Sequence, residues 1–148
     1  MDETDWKREF AEALVVLGLR KLVELGKVTP EEVNHRWYVK FDARRLENSK
    51  FAGGATLDES NRAVMVLPPE FTPESLMTLV AHEVVHLAQM CKGELIPMFG
   101  FQIWKGEEFL SLPANSPDYF TAQPWEKEAD ELQPILLEFL EKEVSKLR

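Results

Sequence analysis

The stretch LVAHEVVHLAQM, Leu79 to Met90, constrains this chain more than any other. It reads as a helix, and it carries two of the chain's three histidines. Residues four apart on an α-helix stand one turn above each other on the same face. His82 and His86 therefore present two imidazoles that can close on one metal ion. Glu83 lies about 100° further round, where a carboxylate can reach a water held at an open metal position. Leu76, Val80, Val84, Leu87 and Cys91 fall on one apolar face, with Thr78, His82, His86 and Gln89 nearly opposite. The helix is thus expected to be buried on one side and to line a cleft with the other. Thr72 is placed to cap it, with Pro73 in its first position. Gly93 is placed to end it just after Cys91 or Lys92.

Around that helix the patterning predicts an α+β chain in one domain, residues 1–148. Apolar residues recur with helical spacing from about Asp5 to Leu25, and Thr29-Pro30 opens a second helix after Gly26. Trp37 to Phe41, Phe51 to Leu57 and Ala63 to Leu67 are rich in strand formers. The last two are separated by the turn-like Asp58-Glu59-Ser60-Asn61, which predicts a hairpin. A small antiparallel sheet is therefore expected to precede and pack on the central helix. Beyond Gly93, Phe101 to Trp104 and Glu108 to Leu110 can pair about Lys105-Gly106-Glu107, and a Pro-rich loop leads to Tyr119. From Pro124, a stripe of Trp125, Ala129, Leu132, Leu136, Phe139, Glu143 or Val144, and Leu147 predicts a long amphipathic helix, with Pro134 expected to kink it.

Composition narrows the function. The 17 basic and 26 acidic residues leave a formal charge of −9, a surface that repels phosphate backbones and argues against a nucleic-acid partner. With one cysteine, Cys91, no intrachain disulfide is possible, as suits a reducing compartment. The opening MDETDWKREF is acidic rather than basic, and the longest early apolar run, Ala13 to Leu19, is too short to span a bilayer. A cytoplasmic protein without a membrane segment is expected.

Two imidazoles do not complete a catalytic zinc site, which takes three protein ligands and leaves a fourth position for water. With no third histidine well placed, a carboxylate has to supply the last bond. The final helix offers Glu126-Lys127-Glu128-Ala129-Asp130. Glu126 and Asp130 are four apart on one flank: the first can bind metal while the second accepts a hydrogen bond from a ligand imidazole and sets its tautomer. Helical angles alone do not choose between Glu126 and Glu128.

His82-Glu83-x-x-His86 followed by Glu126-x-x-x-Asp130 resembles the gluzincin metallopeptidases, including the CAAX-prenyl endopeptidases. In those endopeptidases the first glutamate of the glutamate-x-glutamate-Ala-Asp run is the ligand, which implies Glu126 here. The order of hairpin, motif helix, second hairpin and closing helix is similar to the small SprT-like and ImmA/IrrE-like minimal zincins. SprT-like proteins usually use a third histidine, which this chain lacks. The resemblance implies a zincin-like fold, a Zn2+ cofactor and hydrolysis of a protein or peptide substrate. In that mechanism Glu83 takes a proton from zinc-activated water and hands it to the leaving amine. Tyr119 or His35 is a candidate donor to the developing oxyanion. Gly53 and Gly54 mark a small-residue strand where a substrate backbone can pair. Two other readings are a catalytically silent zincin that binds a protein partner as a regulator, and a SprT-like protease acting on DNA-bound proteins. Cys91, Trp104 and Trp125 are expected to fill core rather than to act on substrate.

Overall fold

Two threonines decide where helices begin. In a computed structural model, which describes residues 3–34, 36–42, 54–113 and 115–147, Thr29 and Thr72 each adopt extended backbone and close a capping box. The Thr72 side chain accepts from the Ser75 amide at 3.1 Å, and the Thr72 amide donates to the Ser75 hydroxyl at 3.0 Å. Each cap satisfies amides that the first helical turn leaves without an intrahelical partner. The described chain runs α1 (Glu3–Glu24), α2 (Pro30–Val33), β1 (Trp37–Phe41), β2 (Gly54–Leu57), β3 (Ala63–Leu67), α3 (Pro73–Cys91), β4 (Leu95–Pro97), β5 (Phe101–Trp104), β6 (Glu107–Leu110) and α4 (Pro124–Ser145). This is an α+β arrangement of four helices and two small sheets among the described residues. Gly26 and Gly93, at φ 76° and 79°, follow α1 and α3 in the left-handed conformation that ends a helix.

Both expected hairpins form. β2 pairs antiparallel with β3, its turn held by Asp58, which accepts from the amides of Ser60 and Arg62 at 2.8 and 2.9 Å. β5 pairs antiparallel with β6 across Lys105 and Gly106, both at positive φ. The second sheet gains a third strand, β4, that the sequence pattern did not reveal; three residues are too few to show alternation.

The first sheet is mixed rather than antiparallel. Its order is β1-β3-β2, and β1 runs parallel to β3 with Trp37 opposite Ala63 and Phe41 opposite Leu67. The reason is in β3 itself: Ala63-Val64-Met65-Val66-Leu67 has no polar side chain on either face, and all five residues are buried. A strand that is apolar on both faces belongs in the middle of its sheet. β3 therefore inserts between its two predecessors, and β1 meets it parallel. Tyr38 donates to Asp58 at 3.0 Å, and Arg62 reaches the Trp37 carbonyl at 3.2 Å, which ties β1 to the hairpin.

One continuous core joins these parts. Leu14, Leu22, Met65, Leu67, Leu76, Leu87, Leu136 and Leu140 are its largest fully buried side chains, drawn from α1, β3, α3 and α4. α3 is its axis, and the expected apolar face of Leu76, Val80, Val84, Leu87 and Cys91 is buried throughout. At Gly18 of α1 an added Cβ would stand 3.1 and 3.2 Å from the two methyl carbons of Val84. That missing side chain lets α1 lie close along the back of α3, behind the two histidines. Burial pushes the Cys91 thiol up to about 11, so it stays a neutral core group. α4 runs on through Pro134 as one helical segment; Leu140 takes a buried place on its stripe, while Leu147 is exposed. No described helix is long and apolar enough to cross a membrane.

Candidate metal centre

The polar face of α3 does not line an open cleft. α4 lies across it, and from Glu83 to Cys91 every residue of α3 is buried. Trp125, in the first turn of α4, is held by two aromatic rings of the second sheet. Its centroid is 6.4 Å from that of Trp104 and 5.5 Å from that of Phe109. Gln123 anchors the preceding loop, accepting from the Leu112 amide and donating to the Tyr119 carbonyl, both at 3.0 Å. These contacts set the rotation of α4 about its own axis, which points Glu126 at the histidines.

His82, His86 and Glu126 come together, with one potential ligand atom from each within 4.8 Å of the others. The two Nε2 atoms are 3.3 Å apart. A tetrahedral ion with nitrogen ligands at about 2.0–2.1 Å requires a nitrogen–nitrogen edge of about 3.3 Å. Glu126 Oε1 is 3.6 Å from His82 Nε2 and in direct contact with His86 Nε2. The second oxygen, Oε2, is buried and has no hydrogen-bond partner among the described residues. A buried carboxylate oxygen left this way is costly unless a cation or a donor such as the neighbouring Tyr119 hydroxyl takes it up. Two imidazoles and a carboxylate converging in a largely buried site therefore fit a zinc-class ion. Glu83 belongs to the same cluster: it is buried, and its charge acts on both imidazoles.

Electrostatics bind the cluster together. Burial works to lower the His86 pKa, but the hydrogen bond to Glu126, the charges of Glu83 and Glu126, and the bond to Gln89 outweigh it and raise it to about 9. Burial and the charge of His86 work to lower His82, but its hydrogen bond to Glu126 and the charges of Glu83 and Glu126 raise it. Burial works to raise Glu126, yet hydrogen bonds from His82 and His86, together with their charges, hold its carboxyl far below the usual range. Tyr119 stands beside this carboxylate, and burial followed by the charge of Glu126 pushes its phenol well above the ordinary value.

The metal-free protein is accordingly expected to lose stability as pH rises from about 6.5 to about 9. A histidine whose folded pKa is raised contributes stability fully below its unfolded pKa of 6.5, and that contribution disappears as pH passes the folded value. The full span corresponds to about 3 kcal/mol. Glu126 works at the other end: its contribution is present above 4.5 and is lost as pH falls toward its depressed value. Urea denaturation in a chelator across pH 6 to 10 measures this, and a flat or rising profile between pH 7 and 9 contradicts it.

Other expected residues stand elsewhere. Glu128, the rival ligand, does not join the cluster; its carboxylate accepts a hydrogen bond from Gln89 at 2.9 Å. Asp130 is exposed on α4 and does not orient an imidazole. That role falls to two glutamines: His86 Nδ1 meets Gln89 Oε1 and His82 Nδ1 meets Gln133 Oε1, each at 2.9 Å. A four-residue step placed Asp130 on the flank of Glu126, but the close approach of α3 brings the seven-residue step, Gln133, over the imidazole instead. Gln89 was legible as a member of the histidine face three residues past His86, although its amide gave no sign of which group it would hold. Gly54 opens β2, an outer strand of the first sheet, whereas Gly53 and His35 lie outside the described residues. Trp104, Trp125 and Cys91 are buried, as core residues should be.

Comparison with protein-family models, with curated proteins and with solved structures finds no match to this chain.

Proposed function

We propose that the protein is a zinc-dependent metallopeptidase of minimal, zincin-like fold, hydrolysing peptide bonds of a protein substrate. The convergence of His82, His86 and Glu126 with Glu83 buried beside them is the observation that carries this reading. Zinc in such a site supplies a Lewis acid that polarises a carbonyl and brings the pKa of water toward neutrality.

The chain's own residues supply the rest. His82, His86 and Glu126 would hold the ion from two facing helices. Glu83 takes a proton from the attacking water and delivers it to the amine as the peptide bond breaks. Tyr119 keeps its proton far above neutral pH and stands beside Glu126, so its hydroxyl can donate to the oxygen that gains charge. β2 offers an outer strand of the described sheet along which an extended substrate can pair. Near-complete burial of Glu83, His86 and Glu126 excludes bulk water, and the His82 side chain, 16 % exposed, is the part of the cluster closest to solvent.

Purified protein is expected to carry about one zinc per chain, in keeping with a single three-ligand site. Chelation should abolish its cleavage of an unfolded protein substrate, and added zinc should restore it. Protein that takes up no zinc from buffered solution would sink the reading. Protein that holds zinc without cleaving would instead mark a silent zincin that binds a partner.

A further inference from the structure

Gln89 is the most deeply buried polar side chain described, at 1 % exposure, and its amide is fully engaged. The nitrogen donates to the Trp125 carbonyl at 3.1 Å and to Glu128 Oε1 at 2.9 Å. A carbonyl and a carboxylate can only accept, so the amide nitrogen must face them and the amide oxygen must face His86 Nδ1, 2.9 Å away. An amide oxygen cannot donate. The hydrogen between them therefore sits on Nδ1, and the neutral His86 ring keeps its lone pair on Nε2.

That outcome is not the default for this ring. Glu126 lies against His86 Nε2, and in the absence of a metal a carboxylate there draws the ring's proton to Nε2. With the proton at Nε2 the lone pair would turn to Nδ1, away from the other ligands. We propose that Gln89, backed by Glu128, is a positioning residue: it locks His86 in the Nδ1–H tautomer and so commits Nε2 to the metal. This rests on the metal-centre reading above. Glu128 acts from behind, because a carboxylate accepting from an amide nitrogen polarises the amide and makes its oxygen a stronger acceptor. The two glutamates of the Glu126-x-Glu128 run thus divide the work, one toward the ion directly and the other through Gln89 and His86.

The test uses the full chain and zinc itself, in competition with a chromophoric chelator, beside the visible spectrum of the cobalt-substituted protein. Gln89→Met keeps nearly the same volume and removes the acceptor. It is expected to weaken zinc binding by about 10–100-fold and to alter the cobalt spectrum. Exchanging the pair, Gln89→Glu with Glu128→Gln, keeps an acceptor on Nδ1–H and a donor behind it; because it also sets a carboxylate oxygen against the Trp125 carbonyl, it should recover part of the lost affinity. A space-filling role alone predicts unchanged affinity in Gln89→Met and no rescue by the exchange; either result overturns the proposal. Should Gln89→Met fail to fold, Glu128→Ala at its half-buried position decides: weaker zinc binding supports the relay, and unchanged binding overturns it. Wild type that binds no zinc overturns the metal centre and this lock together. Zinc binding that is lost in His86→Ala but unmoved in Gln89→Met overturns the lock alone.

Discussion

Glu83→Gln is expected to leave zinc bound and to lower peptide hydrolysis by about 10²–10⁴-fold. The substitution keeps the size and shape of a side chain that is 6 % exposed, so packing around α3 should survive it. It removes the ability to take a proton at neutral pH, together with the negative charge beside the two imidazoles. Glu83 is not one of the three converging ligands, and its carboxylate acts on the imidazoles through its charge. Its loss should therefore appear in kcat, with metal content near that of wild type. The measurement is turnover of an unfolded protein substrate beside zinc content by mass spectrometry. Turnover equal to wild type would remove Glu83 from the proton path. A wild type without turnover, whose partner binding survives Glu83→Gln, would favour the silent regulator.

The second large effect separates the two glutamates of α4. Glu126→Ala should reduce zinc affinity by far more than the 10–100-fold typical of residues that only orient a ligand, whereas Glu128→Ala should stay within that range. Only Glu126 brings an oxygen into the cluster of ligand atoms, and it is buried there; Glu128 ends on Gln89. The metal-free variant has a separate signature. Without the Glu126 carboxylate, His86 loses the hydrogen bond and one of the charges that raise its pKa, so the stability loss between pH 6.5 and 9 should shrink. Metal titration of both variants beside wild type makes the comparison. Undiminished zinc in Glu126→Ala, or loss in Glu128→Ala as large as in Glu126→Ala, would reassign the ligand.

How much of this was legible in the residues depends on the range of the interaction. The start of α2, the limits of α3, both hairpins and the buried face of Leu76, Val80, Val84 and Leu87 follow from local patterns. A threonine cap, a proline in the first turn or a glycine at positive φ acts within a few residues of itself. The parallel pairing of β1 with β3 was missed because strand propensity carries no direction. Its cue lay in a different property, the absence of any polar side chain in Ala63 to Leu67. The covering of the His82 and His86 face by α4 was missed for a related reason: helical angles show that a face is polar, and do not show that another helix with matching polar groups will cover it.

The sequence by itself determined that His82 and His86 share one face with Glu83 beside them, because a period of 3.6 residues leaves no other arrangement on a helix. It also confined the carboxylate expected as third ligand to a five-residue run of α4. Which residue of that run meets the histidines was decided by tertiary structure. One step along a helix turns a side chain by about 100°, so Glu126 and Glu128 exchange places if the helix rolls by a fraction of a turn. Trp125, fixed between Trp104 and Phe109, stops that roll with Glu126 facing inward. The same contact brings Glu128 to Gln89 and Gln133 to His82, and leaves Asp130 in solvent.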